Sequence, residues 1–292
     1  MTLRNGCFRG AGLAGALVVL TATAAMGQQA RFAEPAAAEV ARGDAVSLSL
    51  VDADGAQSWT EHGAEYFLAR TAWSQENRDA VPVAPLSRGL EATWVAGEPG
   101  VLLLGVDLAA RDETVSTGSF ASFVERVLPA SRRGALGGLL ATDDPEAMVV
   151  VRRVESCKAL VRVEVGDAAP VSIATSKTGQ VVEIRPLMDP TAIVPGSDLA
   201  VRVYSRVPGP ADGLVIATNV TTGETVRAPT NATSLAVIPI GEAGRWRLEF
   251  HAIEPAEAGA DTDEEGTAEW TVHTATLTFD VGEMPEEGEA GR

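Results

Sequence analysis

Gly244-Arg245-Trp246-Arg247-Leu248-Glu249-Phe250-His251 is the stretch that decides how this chain folds. Trp246, Leu248 and Phe250 alternate with Arg247, Glu249 and His251, the period of a strand whose successive side chains point to opposite faces. The alternation predicts one buried apolar face and one wet polar face. After an acidic segment, Trp270-Thr271-Val272-His273-Thr274-Ala275-Thr276-Leu277-Thr278-Phe279 reads as a partner strand. On parity, His251 lies opposite Trp246, Leu248 and Phe250, whereas His273 goes with Ala275, Leu277 and Phe279. The two rings therefore face opposite sides of the sheet unless a bulge intervenes. Trp270 and Val272 break the parity of the later apolar set, as a bulge near His273 or Thr274 would make them do. Such a bulge would either bring both rings to one face or turn His273 to solvent.

Working outward, short β-branched runs recur at 181–185, 199–205, 214–220 and 234–240, separated by Asp189-Pro190, Pro195-Gly196-Ser197, Asp212-Gly213 and Thr222-Gly223. About seven short strands with turn chemistry at this spacing in roughly 100 residues predict an antiparallel, immunoglobulin-like β-sandwich over 173–282. A segment rich in Gly, Ala, Ser and Thr at 166–180 marks the boundary with an N-terminal β-rich part, 28–172. There Ala45–Leu50, Glu91–Val95 and Val101–Val106 read as strands, and Lys158–Val165 alternates as another. Phe120, Phe123, Val124, Val127 and Leu128 fall at helical spacing, predicting a helix over about 118–128 capped by Ser119 and stopped by Pro129. Ala147–Val154 is open between strand and helix. The fold expected is thus mainly β, in two parts, with at least one helix in the first.

The ends set location. Arg4 and Arg9, the apolar run Leu13–Leu20 and the small residues after it have the layout of a signal peptide over 1–27, cut after Gly27 or Ala24. The apolar run is too short to span a bilayer. The expectation is a periplasmic or secreted protein with no retained membrane span and an acidic, disordered tail at 283–292. A formal charge of −17 would repel phosphate backbones, which argues against nucleic acid. Past the signal only Cys157 remains, flanked by apolar residues with no histidine close in sequence, and reads as a buried, inert thiol.

Several pieces taken in order, Pro99–Leu104, Cys157–Val161, Val182–Pro190, Val194–Leu199, Gly244–His251 and Ala275–Phe279, resemble a bacterial exported domain-of-unknown-function family. Its members are often assigned to periplasmic nickel or cobalt uptake. The resemblance implies a two-part periplasmic β protein acting as a metal-binding helper, with nickel or cobalt as the ion and a metal transporter as partner. Members of that family begin, after signal cleavage, with a histidine and an aromatic pair. Here Gln28-Gln29-Ala30-Arg31-Phe32-Ala33-Glu34-Pro35 keeps the aromatic and the Glu-Pro without the histidine.

Nickel and cobalt favour imidazole donors, and a tight site needs several that converge. The chain offers His62, His251 and His273. His251 matches a position of the family and is the one metal-ligand candidate; His62 in Trp59-Thr60-Glu61-His62-Gly63 reads as a loop residue. Asp261-Thr262-Asp263-Glu264-Glu265-Gly266 begins like a calcium loop, but its twelfth position is Val272 where a bidentate Glu is required. Lys177-Thr178-Gly179 copies part of the serine β-lactamase set, yet neither Lys158 nor Lys177 follows a serine three residues earlier. The sequence is therefore expected to be that of a non-enzyme with no catalytic residues. Its expected role is an exported binding or accessory protein linked to transition-metal uptake, or alternatively a non-metal interaction or structural sandwich of the cell envelope with an envelope protein as partner.

Overall fold

The computed structural model describes residues 30–53, 64–70, 85–86, 89–96, 99–137, 144–164, 173–208, 211–256 and 268–283, with strand backbones alone between 64 and 95. The expected signal segment 1–27, His62, the acidic stretch 261–266 and tail residues 284–292 lie outside the described residues. In chain order the strands of the first part are β1 (Phe32–Pro35), β2 (Glu39–Val40), β3 (Ala45–Val51), β4 (Ala64–Arg70), β5 (Pro85–Leu86), β6 (Gly89–Val95), β7 (Gly100–Leu108), β8 (Arg111–Ser116) and β9 (Met148–Val163). The second part supplies β10 (Val182–Pro186), β11 (Ser197–Ser205), β12 (Leu214–Asn219), β13 (Thr225–Pro229), β14 (Leu235–Ile240), β15 (Gly244–Pro255) and β16 (Trp270–Val281). The protein is mainly β.

The seven later strands divide as a sandwich. The first, second and fifth form one sheet, β10-β11-β14, while the third, fourth, sixth and seventh run β13-β12-β15-β16 in the other. That partition is an immunoglobulin-like arrangement of two antiparallel sheets over a shared core. Trp246, Leu248, Phe250, Leu277 and Phe279 of one sheet meet Ile184, Leu199, Val201 and Ile238 of the other, all fully buried. Gly244 opens β15 at φ +122°, where a Cβ would sit 2.6 Å from Thr221 Oγ1, so only glycine fits.

The sandwich does not stop at its last strand. β16 pairs in parallel with β9, Trp270 opposite Val151 through Thr278 opposite Ala159, and β9 pairs in turn with β7 and β7 with β4. A nine-stranded sheet thus crosses the segment read as a domain boundary. Of Ala147–Val154, open between strand and helix in sequence, Met148–Val154 opens this single 16-residue β9. Its Val149 and Val151 face the helix while Cys157, Ala159 and Val161 face the N-terminal strands.

One face of the long sheet carries the β10-β11-β14 sheet. The other carries two covers side by side. Helix α1 (Thr117–Val127) packs Phe120, Phe123, Val124 and Val127 against Val151, Ile216, Ile253 and Val272. Its cap is Ser116 rather than Ser119: the Ser116 hydroxyl accepts from Ser119 N–H, the position a cap side chain satisfies. The second cover, β1-β3-β6-β5, lays Ala33, Val46, Leu48 and Leu50 on Leu102, Leu104 and Val106.

Two expectations about β15 and β16 are corrected by these covers. The polar face of β15 is dry: Arg247 is 4 %, Glu249 8 % and His251 2 % exposed. No bulge interrupts the pair, whose register runs unbroken from Gly244 opposite Val281 to Pro255 opposite Trp270. Trp270 and Val272 are apolar on the second face because α1 lies over them, Phe120 at 6.2 Å from Trp270 between ring centroids. Strand Thr225–Pro229, absent from the sequence reading, has the exposed residues Thr225, Arg227 and Pro229, so its apolar signal is thin.

Candidate functional site

Between the two covers a band of polar side chains is enclosed. β15 contributes Arg245, Arg247, Glu249 and His251, and β16 contributes Thr274, Thr276 and Thr278 from the same face, as their pairings His251–Thr274 and Arg247–Thr278 require. β9 adds Arg153 and Glu155. The covering elements return matching groups: Arg31 and Glu34 at β1, Arg111 and Glu113 on β8, Arg126 on α1. Burying such groups is costly unless each is paired, and most are. Glu155 accepts from Arg31 at 3.2 Å with Arg111 at 3.5 Å, Arg153 pairs with Glu113, and Glu34 holds both Arg245 and Arg247. Arg245 also grips Asp280 at 3.0 Å. Burial opposes ionisation of Glu34, but the hydrogen bonds from Arg245 and Arg247 carry its carboxyl below the ordinary value.

His251 lies inside this band. Its Nε2 is 3.1 Å from Glu249 Oε2 and its Nδ1 3.0 Å from Thr274 Oγ1. A carboxylate only accepts, so in the neutral ring Nε2–H donates to Glu249 and Nδ1 accepts from the Thr274 hydroxyl. Burial works against the Glu249 charge, yet the His251 hydrogen bond and then the charges of His251, Arg126 and Arg227 bring its carboxyl below the ordinary range. Above the imidazole stands Phe123, edge to face at 5.2 Å, with the guanidinium carbons of Arg153 and Arg126 at 4.7 and 5.4 Å from its ring centre. Both nitrogens of His251 are thus engaged. His273 is on the opposite face, as parity predicts, with Nε2 3.0 Å from Glu254 Oε1. Among the described residues no three His, Cys, Asp or Glu side chains converge as a metal site would need.

The band opens at one end. A cavity of about 470 Å³ is lined there by Phe32, Arg126, Ile216, Arg227, Arg247 and Glu249, with Thr218 and Thr225 on its wall. Its size is that of a small-molecule pocket. A second cavity of about 350 Å³ at the far end of β16 is bordered by Glu39, Asp280 and Glu283 against Arg162; Asp280 there is already committed to Arg245.

Cys157 and Lys177-Thr178-Gly179 take structural parts. The Cys157 thiol is fully buried, contacts the Arg31 carbonyl at 3.3 Å, and is pushed up to about 12 by burial. The amides of Thr178 and Gly179 clamp Glu183 at 3.0 Å, and Glu183 faces Lys158 in a buried pair at 3.5 Å.

Arg126, Arg227 and Arg247 were not singled out from sequence as site residues. One signal was present: the only lysines are Lys158 and Lys177, so nearly all cations are arginine, the side chain suited to dry, forked pairing.

No family model matches the chain and no curated protein is similar to it. Among solved structures it is similar to murine CEACAM1b, at 10% identity and TM-score 0.21 over 87% of this chain and 100% of that one. It is likewise similar to the mouse coronavirus receptor-binding domain complexed with its murine receptor, at 13% identity and TM-score 0.21 over the same shares. Likeness at that level carries no argument, and the sandwich rests on strand order and register alone.

Proposed function

We propose that this chain is an exported, non-enzymatic binding or accessory protein of the cell envelope, whose ligand seat is the cavity between α1, the β12–β13 strand pair and β1. The observation that carries this reading is the cavity of about 470 Å³ with Arg126, Arg227, Arg247 and Glu249 on its wall. Arg247 and Glu249 are held by the buried band behind them and Arg227 by the Arg126 carbonyl of α1, so much of the wall is organised before any ligand arrives. Cys157 offers no thiol nucleophile, being buried and raised to about 12, far from the thiolate that role needs. The experiment fills the cavity with Thr218→Trp and compares small-molecule adducts of the purified protein after exposure to a metabolite extract, by native mass spectrometry. Adducts on the wild type that vanish in Thr218→Trp are expected; a wild type without adducts contradicts the reading.

A link to nickel or cobalt uptake is a second reading, favoured by the Glu249–His251 pair beside the same cavity. An ion there would take His251 Nε2 from its hydrogen bond. Calorimetric titration with nickel and cobalt, set against His251→Ala, tests it: equal heats in both proteins contradict the metal role.

A further inference from the structure

Resting on the cavity as the binding seat, we infer that its ligand is a small organic anion, held through carboxylate or phosphate oxygens by the guanidinium groups of Arg227 and Arg247. The strand register assembles the charges. Ile216 pairs with Arg227 on one side and Glu249 on the other, and Thr218, two residues on, pairs with Thr225 and Arg247. Residues two apart share a face, so all six point the same way. Arg227 and Arg247 thus stand diagonally across β12, about 12 Å apart at Cα from strand spacing and rise, a span that two arginine arms close from either side of one ligand.

The local balance is cationic in a strongly acidic chain. Of the charged side chains on the cavity wall, three are guanidinium groups, Arg126, Arg227 and Arg247, and one is a carboxylate, Glu249. The oxygens of Glu249 are both engaged, Oε1 with Arg126 at 3.5 Å and Oε2 with His251, leaving it little capacity for a cationic ligand. Arg247 is 4 % exposed, its Nη atoms donate to Glu34 and to the Asp52 and Ala53 carbonyls, and among the described residues its Nε–H is buried without a partner. A buried donor of that kind is expensive to leave unmet, and an anionic oxygen is its strongest partner. One face of the same guanidinium lies over the Phe32 ring at 5.2 Å. Arg227 donates to the Arg126 carbonyl, which fixes it beneath the C-terminal end of α1. The hydroxyls of Thr218 and Thr225, 3.3 Å apart, add neutral donors, and Phe32 and Ile216 give an apolar wall for the carbon body.

The test is calorimetric titration of the purified protein with citrate, succinate and inorganic phosphate, and with putrescine as cationic control, on the wild type, Arg227→Gln and Arg227→Lys. Arg227 is exposed, so its variants fold. At least one anion is expected to bind, with affinity falling about tenfold in Arg227→Gln and less in Arg227→Lys, which keeps the charge and loses the fork. Citrate or succinate without phosphate assigns a carboxylate ligand; phosphate alone assigns a phosphorylated one. Binding of no anion, binding of putrescine, or anion binding unchanged in Arg227→Gln overturns the inference. An extract adduct that is lost in Thr218→Trp but kept in Arg227→Gln would overturn it while leaving the cavity as a binding seat.

Discussion

The two faces of β15 lie in one strand, are buried alike, and are built from opposite materials. Trp246, Leu248 and Phe250 enter an apolar core between two sheets, whereas Arg247, Glu249 and His251 enter a band of ion pairs between a sheet and its two covers. The apolar face is stabilised by area removed from water and tolerates any neighbour of suitable shape. The polar face is dry at a cost, and each group depends on a named partner across the joint. The apolar face therefore makes the sandwich, and the polar face fixes how α1 and β1 seat on it and so shapes the cavity.

The largest effect expected is on the apolar side. Phe250→Ala should lose about 4 kcal/mol of unfolding free energy in denaturant titration, because a buried aromatic leaves a cavity as well as lost transfer energy. On the polar side Arg247→Met should lose about 3 kcal/mol by removing one partner of a buried pair. In a double-mutant cycle with Glu34→Gln the combined loss should fall short of the sum of the single losses, whereas Phe250→Ala and Glu34→Gln should add. Additivity of Arg247→Met with Glu34→Gln would erase the distinction between the faces.

Of the two faces of β15, acid should act on the polar one. The folded-state carboxyls of Glu34 and Glu249 lie below their ordinary value of 4.5. Their contribution is therefore complete above that value and is lost as pH falls from about 4.5 through the lowered folded values. Unfolding free energy followed by circular dichroism should decline over that window, and Glu249→Gln should flatten the decline. The smallest change is Thr274→Val, which removes the partner of His251 Nδ1 in a similar shape and should cost about 1 kcal/mol.

The strand parity of His251 and His273 was legible in the sequence, as were the helix over Phe120–Val127 and most of the later strands. Burial of the polar face was not, because alternation reports which residues are alike and not what covers them. The covers, Arg31–Glu34 and Arg111–Arg126, come from more than 100 residues away in sequence. The parity shift at Val272 records the boundary between α1 and the polar band on one face, a tertiary cause that mimics a bulge. The parallel pairing of β9 with β16 likewise has no local signal. At the site, Arg247 and Glu249 stood in the first stretch read, while Arg227 lies on a half-exposed strand with almost no apolar pattern.

The most direct test of the polar face as a ligand seat is nuclear magnetic resonance of the arginine Nε–H groups during citrate titration. The resonances of Arg227 and Arg247 are predicted to shift in a saturable manner while those of Arg185 and Arg202, on the other sheet of the sandwich, stay in place. Shifts spread evenly over all four arginines, or none at Arg227 and Arg247, would contradict the account.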